Sequence, residues 1–231
     1  MGSYKSPLAP PSINKNWWVV DLIMKSVSII DYGKGNVRSV YNALDYIGVD
    51  SVVTKDHAEI NNCSHIILPG VGAYGDAMSS IRAYGLDEVL NEQVIKRGKP
   101  FLGVCVGMQV LSSVGFEHGE HKGLGWVDAK VTKLEKGPEC LKIPHMGWNQ
   151  INLCSKHPIF RGFSDEMLVF YFVHSFFMQI NESEKILASC NYGINFTAGI
   201  AWDNIIATQF HPEKSQDAGI ELLKNFVNWA P

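Results

Sequence analysis

Between Ser26 and Ser113, short apolar runs alternate with segments of helical period. No other feature limits the possible folds as much. Val27-Ser28-Ile29-Ile30 reads as a strand that ends at the turn Asp31-Tyr32-Gly33. Asn36 stands where a helix N-cap belongs. Val37, Val40, Tyr41, Leu44 and Ile47 then follow at helical spacing, and Gly48 closes the helix. Further strands are expected over residues 51–54, at His65-Ile66-Ile67-Leu68 before Pro69-Gly70, and over 101–104. Leu86, Val89, Leu90 and Val94 mark a helix closed by Gly98, and residues 106–113 are expected to be helical. Strands alternating with helices predict a mainly parallel sheet covered on both faces. After Gly115 the pattern changes. Residues 126–134, 167–180, 185–190, 198–202 and 205–209 read as strands joined by short turns, a hairpin-rich half forming the antiparallel edge of the same sheet. Ile220, Leu223, Phe226 and Val227 mark a closing helix.

Composition removes several classes. With 46% hydrophobic and 19% charged residues, the chain has too much apolar material and too little charge for disorder. A net charge of −3 and the lack of a basic run argue against nucleic acid as a partner. The five cysteines (Cys63, Cys105, Cys140, Cys154 and Cys190) are odd in number and widely spaced, with no C-x-x-C, so neither a disulfide framework nor a zinc ribbon is expected. A reducing, cytoplasmic compartment is the simplest setting. Residues 167–180, the longest apolar candidate, are too few and carry His174, Ser175 and Gln179, so no membrane span is expected. Residues 1–23 contain Pro7, Pro10 and Pro11 and read as a tail upstream of a start at Met24, or as an arm packing Trp17 and Trp18 onto a domain spanning 24–231.

The sharpest chemical signal is Gly103-Val104-Cys105-Val106-Gly107-Met108-Gln109. It is a G-x-nucleophile-x-G turn between a strand and a helix, with Cys in the nucleophile position. The flanking glycines relieve crowding on so tight a turn. The positive potential of a helix N-terminus favours a thiolate placed there, and the Val106 N–H is free to face a developing oxyanion. A thiol nucleophile needs a base. Of the eight histidines, His211 has the most suggestive context. It follows a strand, Pro212 fixes the chain after it, and Glu213 is placed to orient its ring. Pro69-Gly70-Val71-Gly72 ends a neighbouring strand, where its backbone is a candidate second oxyanion donor. Two further motifs carry no expectation. Gly33-Lys34-Gly35-Asn36-Val37-Arg38 lacks the third glycine of a dinucleotide fingerprint, and Glu117-His118-Gly119-Glu120-His121 matches no metal-site spacing and reads as a solvated loop. No metal or cofactor is expected.

Taken together, the Cys105 turn and His211-Pro212-Glu213 resemble the triad, or class I, glutamine amidotransferases over essentially the whole chain beyond the tail. Within that family, Ile30-Asp31-Tyr32-Gly33-Lys34-Gly35-Asn36, Pro69-Gly70-Val71-Gly72, His145-Met146-Gly147-Trp148-Asn149 and His211-Pro212-Glu213-Lys214-Ser215 are similar to the glutaminase subunits of imidazole glycerol phosphate synthases. The resemblance implies a single-domain, flavodoxin-like α/β fold. Cys105 would attack the side-chain amide of L-glutamine, His211 would carry the proton and Glu213 would orient His211. Val106 with Gly70, Val71 and Gly72 would form the oxyanion hole. Gly72, Gln109, His174, Ser175 and Phe176 would hold the substrate. Ammonia would pass to a cyclase barrel subunit in a heterodimer, with Gly147, Trp148, Asn149 and Lys214 facing it. Val106 and Lys34 depart from the family's usual residues without touching the triad. Two alternatives keep the fold: a paralogous glutaminase feeding another synthase, such as a surface-sugar amidation enzyme, and a non-catalytic or redox-sensing α/β module.

Overall fold

The computed structural model describes residues 26–135 and 141–231. The expectations for residues 1–23, for a start at Met24 and for Cys140 lie outside them.

The first half builds β1 (Ser26–Ile30), α1 (Val37–Tyr46), β2 (Asp50–Thr54), α2 (His57–Asn62), β3 (His65–Gly70), α3 (Tyr74–Ala83), α4 (Leu86–Leu90), β4 (Phe101–Cys105) and α5 (Val106–Gln109). β1 pairs in parallel with β2 and β3, and β3 with β4. The apolar runs explain why these strands lie at the centre: Ile29, Ile66, Ile67, Leu68 and Leu102 are fully buried. Each such side chain contributes about 1.5–3 kcal/mol by leaving water.

The later strands are β5 (Ser112–Gly115), β6 (His121–Lys122), β7 (Val127–Lys133), β8 (His145–Leu153), β9 (Val169–His174), β10 (Phe176–Ile180), β11 (Ile186–Tyr192), β12 (Ile194–Trp202) and β13 (Ile205–Thr208), followed by α6 (Gln216–Asn228). They fall into two sheets. A nine-stranded sheet runs β2-β1-β3-β4-β13-β12-β11-β8-β9, and a four-stranded sheet runs β10-β7-β5-β6. β13 is parallel to β4, whereas β12, β11, β8 and β9 are joined antiparallel. The result is the expected α/β fold, a large sheet flanked by helices, with its antiparallel edge in place. Among the described residues, no helix is long and apolar enough to cross a membrane.

Four expectations change. The helix expected over 106–113 stops at Gln109, and Ser112–Gly115 becomes β5. Serine, valine and glycine are weak helix formers, and tertiary contacts claim them: the Ser112 hydroxyl meets Tyr74 Oη at 3.0 Å, and a Cβ on Gly115 would lie 2.6 Å from the Tyr74 ring. The run 167–180 is not one strand. It breaks at Ser175, so that His174 pairs with His145 in one sheet and Phe176 with Lys133 in the other. Part of the second half therefore forms a separate small sheet. Gly147-Trp148-Asn149 lies within β8, and the helix begun at Leu86 passes after Leu90 into a wider turn over Asn91–Lys96.

Candidate active site

Cys105 ends β4 and opens α5 with φ 56 and ψ −109, a left-handed conformation that a β-carbon-bearing residue adopts only under constraint. The constraint is close backbone packing. A Cβ on Gly107 would collide with the Leu68 carbonyl oxygen, and one on Gly103 would lie 2.7 Å from the Gly107 oxygen. Both positions therefore require glycine. The turn places Cys105 in the lining of a cavity of about 510 Å³.

His211 follows β13, and its backbone is tied down on both sides. Its N–H donates to the Tyr171 carbonyl at 2.9 Å, and its carbonyl accepts from the Ser215 hydroxyl at 2.6 Å. The ring is 1% exposed. Nδ1 pairs with Glu213 Oε1 at 2.8 Å, both side chains being 1% exposed. Nε2 is the nitrogen left for Cys105, and among the described residues it makes no complete hydrogen bond. Burial disfavours a charged ring here. The charge of the adjacent Cys105, and then the hydrogen bond and charge of Glu213, outweigh it and push the His211 pKa up to about 10. One sulfur, one imidazole and one carboxylate thus follow one another, drawn from β4 and from the segment after β13.

Asn36, expected to cap α1, makes no side-chain cap. Its Nδ2 instead reaches Glu213 Oε1 at 3.5 Å, and its Oδ1 accepts from Ser39 at 2.9 Å. The loop after β1 therefore supports the carboxylate.

Val106, as the first residue of α5, has an N–H with no intrahelical acceptor, and it lines the cavity. The expected second donor is different. The Val71 N–H donates to the Lys34 carbonyl at 2.9 Å and is not free for an oxyanion in this arrangement. Gly70 is buried outside the cavity lining, and a Cβ there would collide with the Tyr32 hydroxyl. Of the three residues expected there, Gly72 (φ +91) lines the cavity, and its backbone N–H donates to no other backbone carbonyl among the described residues.

Gln109, Ser175 and Phe176 line the cavity as expected. His174 touches it too, but its ring is committed elsewhere. Its Nδ1–H donates to the Phe176 carbonyl at 3.0 Å, so its Nε2 must accept from His145 Nδ1–H, also at 3.0 Å. Burial pushes the pKa of His145 down to about 4 and that of His174 to about 3, so both rings are neutral near pH 7. Asn149 is likewise turned inward. Its amide donates to the Asn191 carbonyl at 2.9 Å and to His145 Nε2 at 3.3 Å. Of the residues expected to face a partner, Trp148 is 48% exposed with its edge on Tyr171, and the ammonium of Lys214 lies 5.9 Å from the centre of the Tyr171 ring.

The loop read as merely solvated carries cavity residues. Glu117 and His118 line it, and Glu117 Oε2 accepts the Tyr74 N–H at 2.9 Å. No local pattern in the sequence marks Glu117, because it is α3 that brings its carboxylate to the cavity.

A family model described as glutamine amidotransferase class-I matches residues 28–229. The chain belongs to the class I glutamine amidotransferases. It is 51% identical over 212 residues to "Imidazole glycerol phosphate synthase subunit HisH 2" of Nitrobacter winogradskyi, covering 90% of this chain and 100% of that protein. It is 44% identical to the "HisH 2" subunit of Pseudomonas aeruginosa (87% and 98% covered) and 44% identical to the "HisH" subunit of Geobacter sulfurreducens (88% and 98% covered). Among solved structures, the fold is similar to that of PurLQS from Thermotoga maritima, with a TM-score of 0.70 at 19% identity over 89% of this chain and 99% of the other. This amidotransferase therefore shares nearly its whole described length with the synthase subunits.

Proposed function

We propose that this amidotransferase is the glutaminase subunit of an imidazole glycerol phosphate synthase, hydrolysing L-glutamine to glutamate and ammonia. The reading rests on one observation above the others: a strained Cys105 lining a cavity, beside a buried His211 held by Glu213 at 2.8 Å. The Cys105 thiolate attacks the side-chain amide carbon. The Val106 N–H faces the developing oxyanion, and Gly72 is placed to supply the second donor. His211 gives its proton to the departing ammonia, then takes one from the water that cleaves the glutamyl thioester. Glu213 fixes the tautomer of His211. Gln109 and the backbone of Ser175 and Phe176 hold the amino-acid end, and the Glu117 carboxylate suits the substrate ammonium.

Ammonia at neutral pH is mostly ammonium, which is no nucleophile, so it is passed under cover to a cyclase subunit. Exposed Trp148, with Lys214 across Tyr171, supports docking of that subunit near the cavity. The domain spans residues 24–231, with 1–23 as a tail, and the protein works in the cytoplasm without a cofactor. Because the Val71 N–H is held by the Lys34 carbonyl, Gly72 and not Val71 is the second donor. The experiment is glutamate release with and without the cyclase, for the wild type and for Cys105→Ala. The proposal expects release that rises with the cyclase and is absent in the variant; undiminished release by Cys105→Ala contradicts it.

Two of the similar relatives are labelled "HisH 2". A second reading keeps the site and changes the acceptor, making the chain a paralogous glutaminase that feeds another synthase. Recovery of a cyclase barrel in a pull-down separates the two.

A further inference from the structure

Gln209 lies between β13 and His211 and is fully buried. Its Nε2 stands 3.6 Å from the Cys105 sulfur. Its orientation is dictated by a chain of bonds with only one consistent polarity. The Phe176 carbonyl can only accept, so the amide nitrogen of Gln109 must face it, at 2.9 Å. The same nitrogen donates its other hydrogen to Gln209 Oε1 at 3.0 Å. With its oxygen so occupied, Gln209 must turn its NH2 toward Cys105. Reversing Gln109 would set its oxygen against the Phe176 carbonyl, and reversing Gln209 would set nitrogen against nitrogen. The sulfur therefore meets a fixed, neutral donor in addition to the imidazole, while the Val173 carbonyl, 4.0 Å away, is the acceptor a thiol proton can use.

We infer that Gln209 is a further positioning residue of the reaction, donating a hydrogen bond that favours the thiolate form of Cys105 over the thiol. The inference rests on the reading of Cys105 as nucleophile. A donor bonded to an anion holds it more strongly than one bonded to a neutral group, so Gln209 offsets part of the burial that opposes charge on a sulfur 3% exposed. The side chain also sets the direction of the sulfur lone pairs.

Two near-isosteric variants test this. Gln209→Met keeps the length and removes the donor; Gln209→Glu keeps the length and places an acceptor against the sulfur. Alkylation by iodoacetamide is followed for each cysteine by peptide mapping across a pH series. The expected result is about tenfold slower alkylation of Cys105 near neutral pH in Gln209→Met, as befits loss of one charge-assisted hydrogen bond. The loss is larger in Gln209→Glu, and in both the profile moves to higher pH with the alkaline limiting rate unchanged. Coincident profiles for wild type and Gln209→Met overturn the inference. Cys63 and Cys190 are buried, so their continued protection reports that a variant is folded. If Gln209→Met loses that protection, the side-chain amide resonances of Gln209 in the wild-type protein decide. They are expected to shift when Cys105 ionises, and an unmoved pair overturns the inference. Failure of the nucleophile reading is separate, since it shows as glutamate release by Cys105→Ala.

Discussion

On the parallel side of the large sheet, the backbone holds Cys105: Gly107 packs on the Leu68 carbonyl, Gly103 on the Gly107 oxygen, and the cysteine takes up a left-handed φ between them. In the second half of the chain, side-chain bonding holds the buried polar groups: His211 to Glu213, which Asn36 reaches from the loop after β1, and His174 to His145. The first device leaves no room for a methyl group. The second tolerates a change of shape and fails when a donor or acceptor is lost. A site assembled in both ways has two independent modes of failure, and each can be tested where the other is silent.

The largest effect is expected from removing proton transfer with the backbone untouched. His211→Ala should lower partner-stimulated glutaminase turnover by at least about 10³–10⁴-fold, and it also lowers the thermal midpoint because Glu213 is left buried without its partner. Glu213→Gln should be about 10–10²-fold less damaging than His211→Ala, because orientation of the ring survives in part. Turnover equal to wild type in Glu213→Gln would remove the carboxylate from the account. The next effect is on stability. Gly107→Ala should lose about 3 kcal/mol or more in denaturant melts, since its Cβ meets backbone that cannot move alone. Gly199→Ala in β12, whose nearest contact for a Cβ is 3.5 Å, should lose under about 1 kcal/mol. Equal losses would erase the contrast between the two halves.

The smallest effect is one of pH. In the unfolded chain, histidine takes a proton near pH 6.5, whereas folded His145 and His174 do so only at about 4 and about 3. Between those values the unfolded state binds more protons, so the contribution of these two rings to stability is full above about pH 6.5 and declines as pH falls toward 4. Urea melts at decreasing pH should show the decline, and His145→Phe should make it shallower. An unchanged slope in that variant contradicts the tautomer chain.

Much of the parallel side was legible in the sequence because its constraints are local. The glycines, the apolar run before Cys105 and the Pro69-Gly70 stop each state a backbone requirement within a few residues. The second half was legible only at His211-Pro212-Glu213, where the two partners stand two positions apart. Gln209, Glu117 and the inward turn of Asn149 escaped because their partners are 104, 43 and 42 residues away, at Cys105, Tyr74 and Asn191. Val71 illustrates a further limit. Glycine on either side permits its peptide to face the cavity or Lys34, and the letters do not choose. The break at Ser175 was hidden for a related reason: both flanking strands are apolar, and only their separate partners in two sheets reveal the boundary.

The most direct test of the central claim is the mapping by mass spectrometry of the adduct left by an electrophilic glutamine analogue on the cyclase-bound protein. The account predicts modification at Cys105 alone, protected by glutamine and much slowed in His211→Ala. An adduct confined to the exposed Cys154, or an unmodified Cys105 in a protein still releasing glutamate, would contradict it.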